Sequence, residues 1–136
     1  MSELALREHV AIVQPWVIDA LLAGAKTIES RFSRDRRAPF DRIAKGDLVF
    51  FRETGGTYAA QAEVRSVRSF GGLTPDKVAQ IEARHRARIG GDDAFWKAAR
   101  AARFATLVHL HRCQAIASGP ELDRRPGDQR AWFVLD

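Results

Sequence analysis

Residues 14–31 read QPWVIDALLAGAKTIESR, and the arrangement of the rest of the chain follows from this stretch. Pro15 suits the first turn of a helix, where its missing N–H has no intrahelical partner in any case. Val17, Ile18, Leu21 and Leu22 recur at helical spacing and predict one buried stripe. Gly24 tolerates the left-handed backbone that ends helices, so the chain turns over residues 23–26 and re-emerges extended from Thr27 to Phe32. Alternate side chains of an extended segment share a face. Thr27, Glu29 and Arg31 therefore fall on one face, and Ile28, Ser30 and Phe32 on the other. Lys26 leaves the helix beside the polar face, so a cation, a carboxylate and a guanidinium converge on one patch. Glu29 can accept from a base amino group, and Lys26 and Arg31 can donate to carbonyl or phosphate oxygens. The same groups can also pair among themselves and act as a wall.

Before this stretch, residues 9–14 (HVAIVQ) read as a short strand. After it, residues 34–41 contain Pro39 and read as a loop, and Gly46-Asp47 is a turn signal before an apolar strand over 48–52 (LVFFR). Gly55-Gly56 fits a hairpin connection into a strand over 58–68. There Ala60, Ala62 and Val64 alternate with Gln61, Glu63 and Arg65 until Val67 breaks the phase, which predicts a bulge near Arg65–Ser66. Thr74-Pro75-Asp76 is a helix start, with Thr as N-cap, Pro in the first turn and Asp favourable to the dipole. Val78, Ile81 and His85 follow at helical spacing until Gly90-Gly91. Asp92 or Asp93 caps a further helix carrying Phe95, Trp96 and Ala99, and residues 104–116 and 130–135 read as the last strands. No internal repeat or low-complexity linker marks a boundary, so one domain over 1–136 is expected. Six strands with one early and two middle helices predict an α+β fold, a small and mostly antiparallel barrel.

The 136 residues include 22 Lys and Arg against 17 Asp and Glu, a net charge of +5, and a basic balance of this kind attracts polyanions. Arg31, Arg34, Arg36, Arg37, Arg42 and Lys45 crowd one segment, and Arg84, His85, Arg86 and Arg88 form a second group. Hydrophobic residues at 46% exclude a disordered chain. No apolar run approaches the roughly 18 residues of a membrane helix, and residues 1–8 lack the apolar centre of a signal peptide. A single cysteine, Cys113, allows no internal disulfide. A cytoplasmic location and no membrane partner are the expectation.

The 14–31 stretch resembles the signature of the ASCH domain: Pro, an aromatic, an aliphatic helix, then G-x-K-T-x-E-x-R. Pro15, Trp16, Leu21 or Leu22, Gly24, Lys26, Thr27, Glu29 and Arg31 stand in register. The likeness continues at Gly46-Asp47, the Ala-rich strand over 60–64, Phe95-Trp96, Ala105-Thr106-Leu107 and Arg130-Ala131-Trp132. It departs at Gln14, where a basic residue is common in the family. The resemblance implies a PUA-like, six-stranded pseudo-barrel with flanking helices and a cleft beside the first helix. It implies RNA, or a modified nucleoside or nucleotide, as the partner, and calls for no cofactor and no metal. It also implies two enzymatic alternatives, a single-strand ribonuclease and an amidohydrolase acting on modified cytidine. A protein-interaction module is a further alternative and would need an exposed apolar patch.

The expected ligand-binding set is Trp16, Lys26, Thr27, Glu29, Arg31, Arg34, Arg36 and Arg37, with Trp16 as a stacking platform. Trp96 and Trp132 have apolar neighbours and are expected in the core. Catalytic candidates are Lys26, Glu29 and Thr27. A carboxylate beside Lys26 favours its charged form and makes it an anchor rather than a base. In the amidohydrolase branch a threonine nucleophile stands where this chain has Glu29, so that mechanism does not carry over directly. Ser30 is expected to face away, and Glu82 reads as surface charge. His109, His111 and Cys113 alternate along one predicted strand but lack a fourth ligand, so packing or solvent is expected for them. Neither a phosphate loop nor a dinucleotide glycine motif is present.

Overall fold

The computed structural model describes residues 6–135; residues 1–5, part of the stretch read for a signal peptide, lie outside the described residues. Strand β1 (Glu8–Val13) runs into helix α1 (Pro15–Leu22), with Pro15 in its first turn. Gly24 ends the turn at φ 77°, as its place in the sequence requires. Val17, Ile18 and Leu21 are buried as the predicted stripe, while Leu22 stays exposed. The chain then enters β2 (Ile28–Ser33), β3 (Leu48–Glu53) and β4 (Tyr58–Phe70). Helices α2 (Pro75–Ile89) and α3 (Asp93–Ala99) follow, then β5 (Phe104–Ala115) and β6 (Trp132–Leu135). Thr74 Oγ1 accepts from the Lys77 amide, and Asp92 accepts from the Phe95 amide, so both predicted caps are in place.

The six strands form one sheet in the order β2-β5-β4-β3-β1-β6. Only the β1–β3 pair is parallel, because the α1–β2 crossover separates those strands; the other pairings are antiparallel. The sheet curls into a half-barrel whose two edges, β2 and β6, do not pair with each other. This is the α+β pseudo-barrel expected from the sequence. Both faces are covered. Alpha-1 packs with Val13, Val49, Phe51, Val64, Val108 and Trp132 on one face, and Val10, Phe50 and Phe133 cluster separately. That explains why residues 48–51 (LVFF) are apolar on both faces instead of alternating. Alpha-2 and α3 close a further cluster with Ile28, Ala105 and Leu107.

The long β4–β5 pair carries two register shifts. One leaves Arg65 unpaired between Val64 and Ser66, where the phase break predicted a bulge. The other falls at Arg112, whose φ of 52° is left-handed. A buried polar network lies at the start of β1. The Nε2 of His9 stands 2.8 Å from Asp47 Oδ2, and Trp132 Nε1 donates to His9 Nδ1 over 3.0 Å. Indole N–H only donates, so Nδ1 must accept and the imidazole is neutral with its proton on Nε2. Asp47 also accepts from the amides of Arg7 and Ala44. Among the described residues no helix is long and apolar enough to cross a membrane.

Candidate functional site

A cleft of about 1190 Å³ opens where the half-barrel fails to close, between β2, the end of β1 and the α2–α3 junction. Arg31 spans the seam. Its guanidinium donates to the carbonyls of Ile12 and Ala131, each at 3.3 Å, and lies 5.1 Å from the Trp132 ring centre. Nη2, the donor to Ile12, also donates to Glu29 Oε2 at 3.0 Å. On the other side of Glu29, Lys26 Nζ lies 3.2 Å from Oε1. The Lys26 ammonium also donates to the carbonyls of Ile28, at 2.8 Å, and of Ile89. An ammonium has three donors, so these partners occupy all of them. Lys26 thereby ties the start of β2 to the end of α2.

Lys26 and Glu29 are 4% and 5% exposed, and two charges this far from water persist only when paired and fully hydrogen-bonded. Burial by itself pushes the Glu29 carboxyl upward; the charges of Lys26 and Arg31, with their hydrogen bonds, outweigh it and hold the group below its usual value of 4.5. Glu29 is therefore an anion at neutral pH. Each of its oxygens has one protein donor, and a carboxylate offers about four acceptor sites, so acceptor capacity remains at the cleft floor.

The walls are aromatic. Trp16, 42% exposed on α1, stands with its ring centre 5.7 Å from Lys26 Nζ. Phe95, 37% exposed, rises from α3. The two rings flank the Gly90-Gly91 turn closely. A Cβ on Gly90 would lie 3.0 Å from the Trp16 ring, and one on Gly91 would lie 2.8 Å from Phe95. Both glycines have left-handed φ angles, so this turn admits both rings only without side chains of its own. Arg34 and Arg37 stand among the lining residues, Arg37 in a forked pair with Asp35.

A family model, the ASCH domain, matches residues 10–125. The chain belongs to the ASCH domain family. The fold of this ASCH domain is similar to the crystal structure of ASCH from Zymomonas mobilis, with a TM-score of 0.69 at 20% identity. That match covers 95% of this chain and 87% of the other. A serine-to-alanine variant of the same Zymomonas protein gives 0.70 at 19% identity, covering 95% and 88%. A tyrosine-to-phenylalanine variant gives 0.68 at 19%, covering 95% and 90%. Identities this low bear on fold alone. No curated protein matches the chain.

Of the residues singled out in the sequence, Trp16, Lys26, Glu29, Arg31, Arg34 and Arg37 line the cleft of this ASCH domain. Thr27 and Arg36 are not among its lining residues. Thr27 precedes β2; its amide donates to the Arg88 carbonyl and its carbonyl accepts from the Leu110 amide, which places it at a smaller pocket on another side. Strict alternation put Thr27 with Glu29 because it assumed that the strand was already regular at that position. Arg36 turns away, its guanidinium 5.9 Å from the Phe40 ring centre and 5.5 Å from that of Phe104. Ser30 and Phe32, expected to face away, do contribute to the lining. As an edge strand, β2 leaves one flank open to the cleft.

Glu82 is held by Arg86 and Arg100 on the outside of α2. His109, His111 and Cys113 do not act together. The bulge at Arg112 interrupts their alternation, His111 lies 3.5 Å from Glu63, and Cys113 packs on the core beside α1. Among the described residues no three such side chains converge as metal ligands. Phe95 was not singled out in the sequence as a ligand contact. Its signal was a large aromatic at the start of a short helix directly after two glycines.

Proposed function

We propose that this ASCH domain binds single-stranded RNA or a modified nucleoside, with one base between the Trp16 and Phe95 walls and its polar edge on Glu29. The carrying observation is a buried, ionised carboxylate with spare acceptor capacity at the floor of a cleft flanked by two exposed aromatic rings. A carboxylate of this kind selects a base that presents an amino or imino donor, and aromatic faces hold any base by stacking. Arg31 has N–H donors beyond those used at the seam, suited to a base carbonyl. Arg34 and Arg37 at the rim suit phosphates. The general association of the PUA-like ASCH family with RNA supports the same reading. Lys26 is an anchor here, since its donors are committed to Ile28, Ile89 and Glu29.

The hydrolase reading has less support. A base or nucleophile must be free to move a proton, and neither Lys26 nor Thr27 stands free at the cleft floor. The test is a mass-spectrometric assay of mixed short RNAs and modified nucleosides against wild type, Glu29→Gln and Trp16→Ala, scoring retention and conversion together. Retention without conversion, weakened by both substitutions, is the expected result. A product that disappears in Glu29→Gln would instead make the cleft catalytic. Equal retention by all three proteins would remove the cleft as the binding site.

A further inference from the structure

Thr27 leads to a second concavity. A pocket of about 460 Å³ is lined by Thr27 and Ile28 from β2, Arg65 and Ser66 from β4, Arg84, His85 and Arg88 from α2, and His109 and Leu110 from β5. Three arginines and two histidines meet there, and no carboxylate lines the pocket. Alpha-2 sorts its basic residues. Arg86 is engaged by Glu82 and Asp93, whereas Arg84 and Arg88 have no acidic partner among the described residues, and neither has Arg65 on β4.

The Arg65 bulge shapes the site. In a regular strand residues 65 and 66 would point to opposite faces; with Arg65 unpaired, both line the pocket. The rings of His85 and His109 meet edge to face, 6.2 Å between centres. Burial first, then the charges of Arg68 and Arg84, lower the pKa of His85. Burial, then His85, Arg68 and Arg65, lower that of His109. Each neutral imidazole still carries one N–H donor, and Thr27 and Ser66 carry hydroxyls. Collecting uncompensated guanidinium groups in a concavity costs mutual repulsion, which an anion relieves. Guanidinium forks match phosphate oxygens.

We propose that this basic pocket is a second ligand site, taking a phosphate group separately from the cleft. The two sites share a wall. Lys26, Ile89 and Gly90 line the cleft, while the adjoining Thr27, Ile28 and Arg88 line the basic pocket. The phosphate belongs either to a small phosphorylated molecule or to an RNA backbone, and each source predicts a different titration.

The experiment titrates the folded protein with inorganic phosphate, then with a short single-stranded RNA, following the amide signals of Thr27, Ser66, His85 and His109 by NMR. Phosphate should shift these signals saturably, and the Arg84→Ala/Arg88→Ala double variant should weaken binding about tenfold or more. Arg112→Ala, on an exposed residue outside the pocket, should bind as wild type does. If RNA is the source, the oligonucleotide shifts the same signals. The double variant then flattens the plot of log affinity against log salt by about 0.7 for each phosphate contact removed. If RNA leaves the signals unmoved while phosphate shifts them, a small phosphorylated ligand is the source. Glu29→Gln should leave the phosphate titration intact, so failure of the cleft reading and failure of this one are distinguishable. Absence of shifts, or equal weak shifts in wild type and the double variant, overturns the proposal.

Discussion

Two buried polar networks, one at each end of the β1–α1–β2 unit, use the same kind of chemistry for different ends. His9, Asp47 and Trp132 form a closed set. Asp47 accepts from three donors, the imidazole is neutral, and His9 is wholly inaccessible to solvent. Its effect is to fasten β1 to the entry of β3 and to β6. Lys26, Glu29 and Arg31 form an open set, with three formal charges, an acceptor with sites to spare, and a cleft above it. An ionised carboxylate beside a cavity leaves acceptor sites within reach of a ligand. The difference between saturation and surplus is what separates a structural polar cluster from a candidate binding one.

The largest expected effect comes from breaking the open set. Lys26→Met takes one of two cations from the buried Glu29 carboxylate and the donor from the Ile28 and Ile89 carbonyls, and should cost about 3–5 kcal/mol by denaturant unfolding. Adding Glu29→Gln in the same chain should recover part of this loss. If the single variant loses less than about 1 kcal/mol, the pair is more hydrated than its burial indicates. Asp47→Ala tests the closed set, leaving His9 and two backbone amides without an acceptor. A loss of about 1–3 kcal/mol is expected, with nucleoside binding unchanged in the protein that remains folded.

Acid separates the two networks by pH window. The His9 pKa is lowered below 6.5, by burial first, against the raising influence of Asp47. The unfolded chain therefore takes up this proton before the folded one does. The His9 contribution is fully present above about pH 6.5 and is lost as pH falls from there toward the lowered folded value. Glu29, also lowered, contributes stability that is present above about 4.5 and is lost as pH falls through its folded value. Stability plotted against pH should fall in two stages, and Glu29→Gln should shrink only the more acidic one, to which Asp35 and Asp128, held low by Arg37 and Arg130, also belong. The smallest effect on stability is expected from Trp16→Ala. The ring is 42% exposed, so loss of fold stability should stay at about 1 kcal/mol, while loss of a stacked base should cost about 1–3 kcal/mol in ligand affinity. A reversed ranking would make Trp16 a packing residue.

The elements were largely legible because their signals are local. Pro15, Gly24, Thr74 and Asp92 act within a turn of their own positions, and the phase break at Val67 reported the bulge at Arg65. Within the site, the Lys26–Glu29–Arg31 grouping was legible because all three residues sit in one short segment. Phe95 was not, since its place beside the cleft depends on Phe32 of β2, far off in the chain, whose ring centre lies 6.2 Å from its own. The pairing of His9 with Asp47 gave no signal, since His9 read only as the start of a strand and Gly46-Asp47 only as a turn and a point of family likeness. They lie 38 residues apart, and neither position announces burial.

By itself the sequence determined which segments are helix or strand, the polar segment that forms the cleft floor and the basic character of the surface. These depend on side-chain periodicity, capping and charge, which act over a few residues. Tertiary structure alone decided that Thr27 faces a different pocket from Glu29, that Arg31 bridges the unpaired edges of the sheet, and that Lys26 has all its donors occupied. Each of these rests on backbone carbonyls or registers from distant strands. A short sequence pattern can name a donor, but only the folded chain supplies the acceptor it meets.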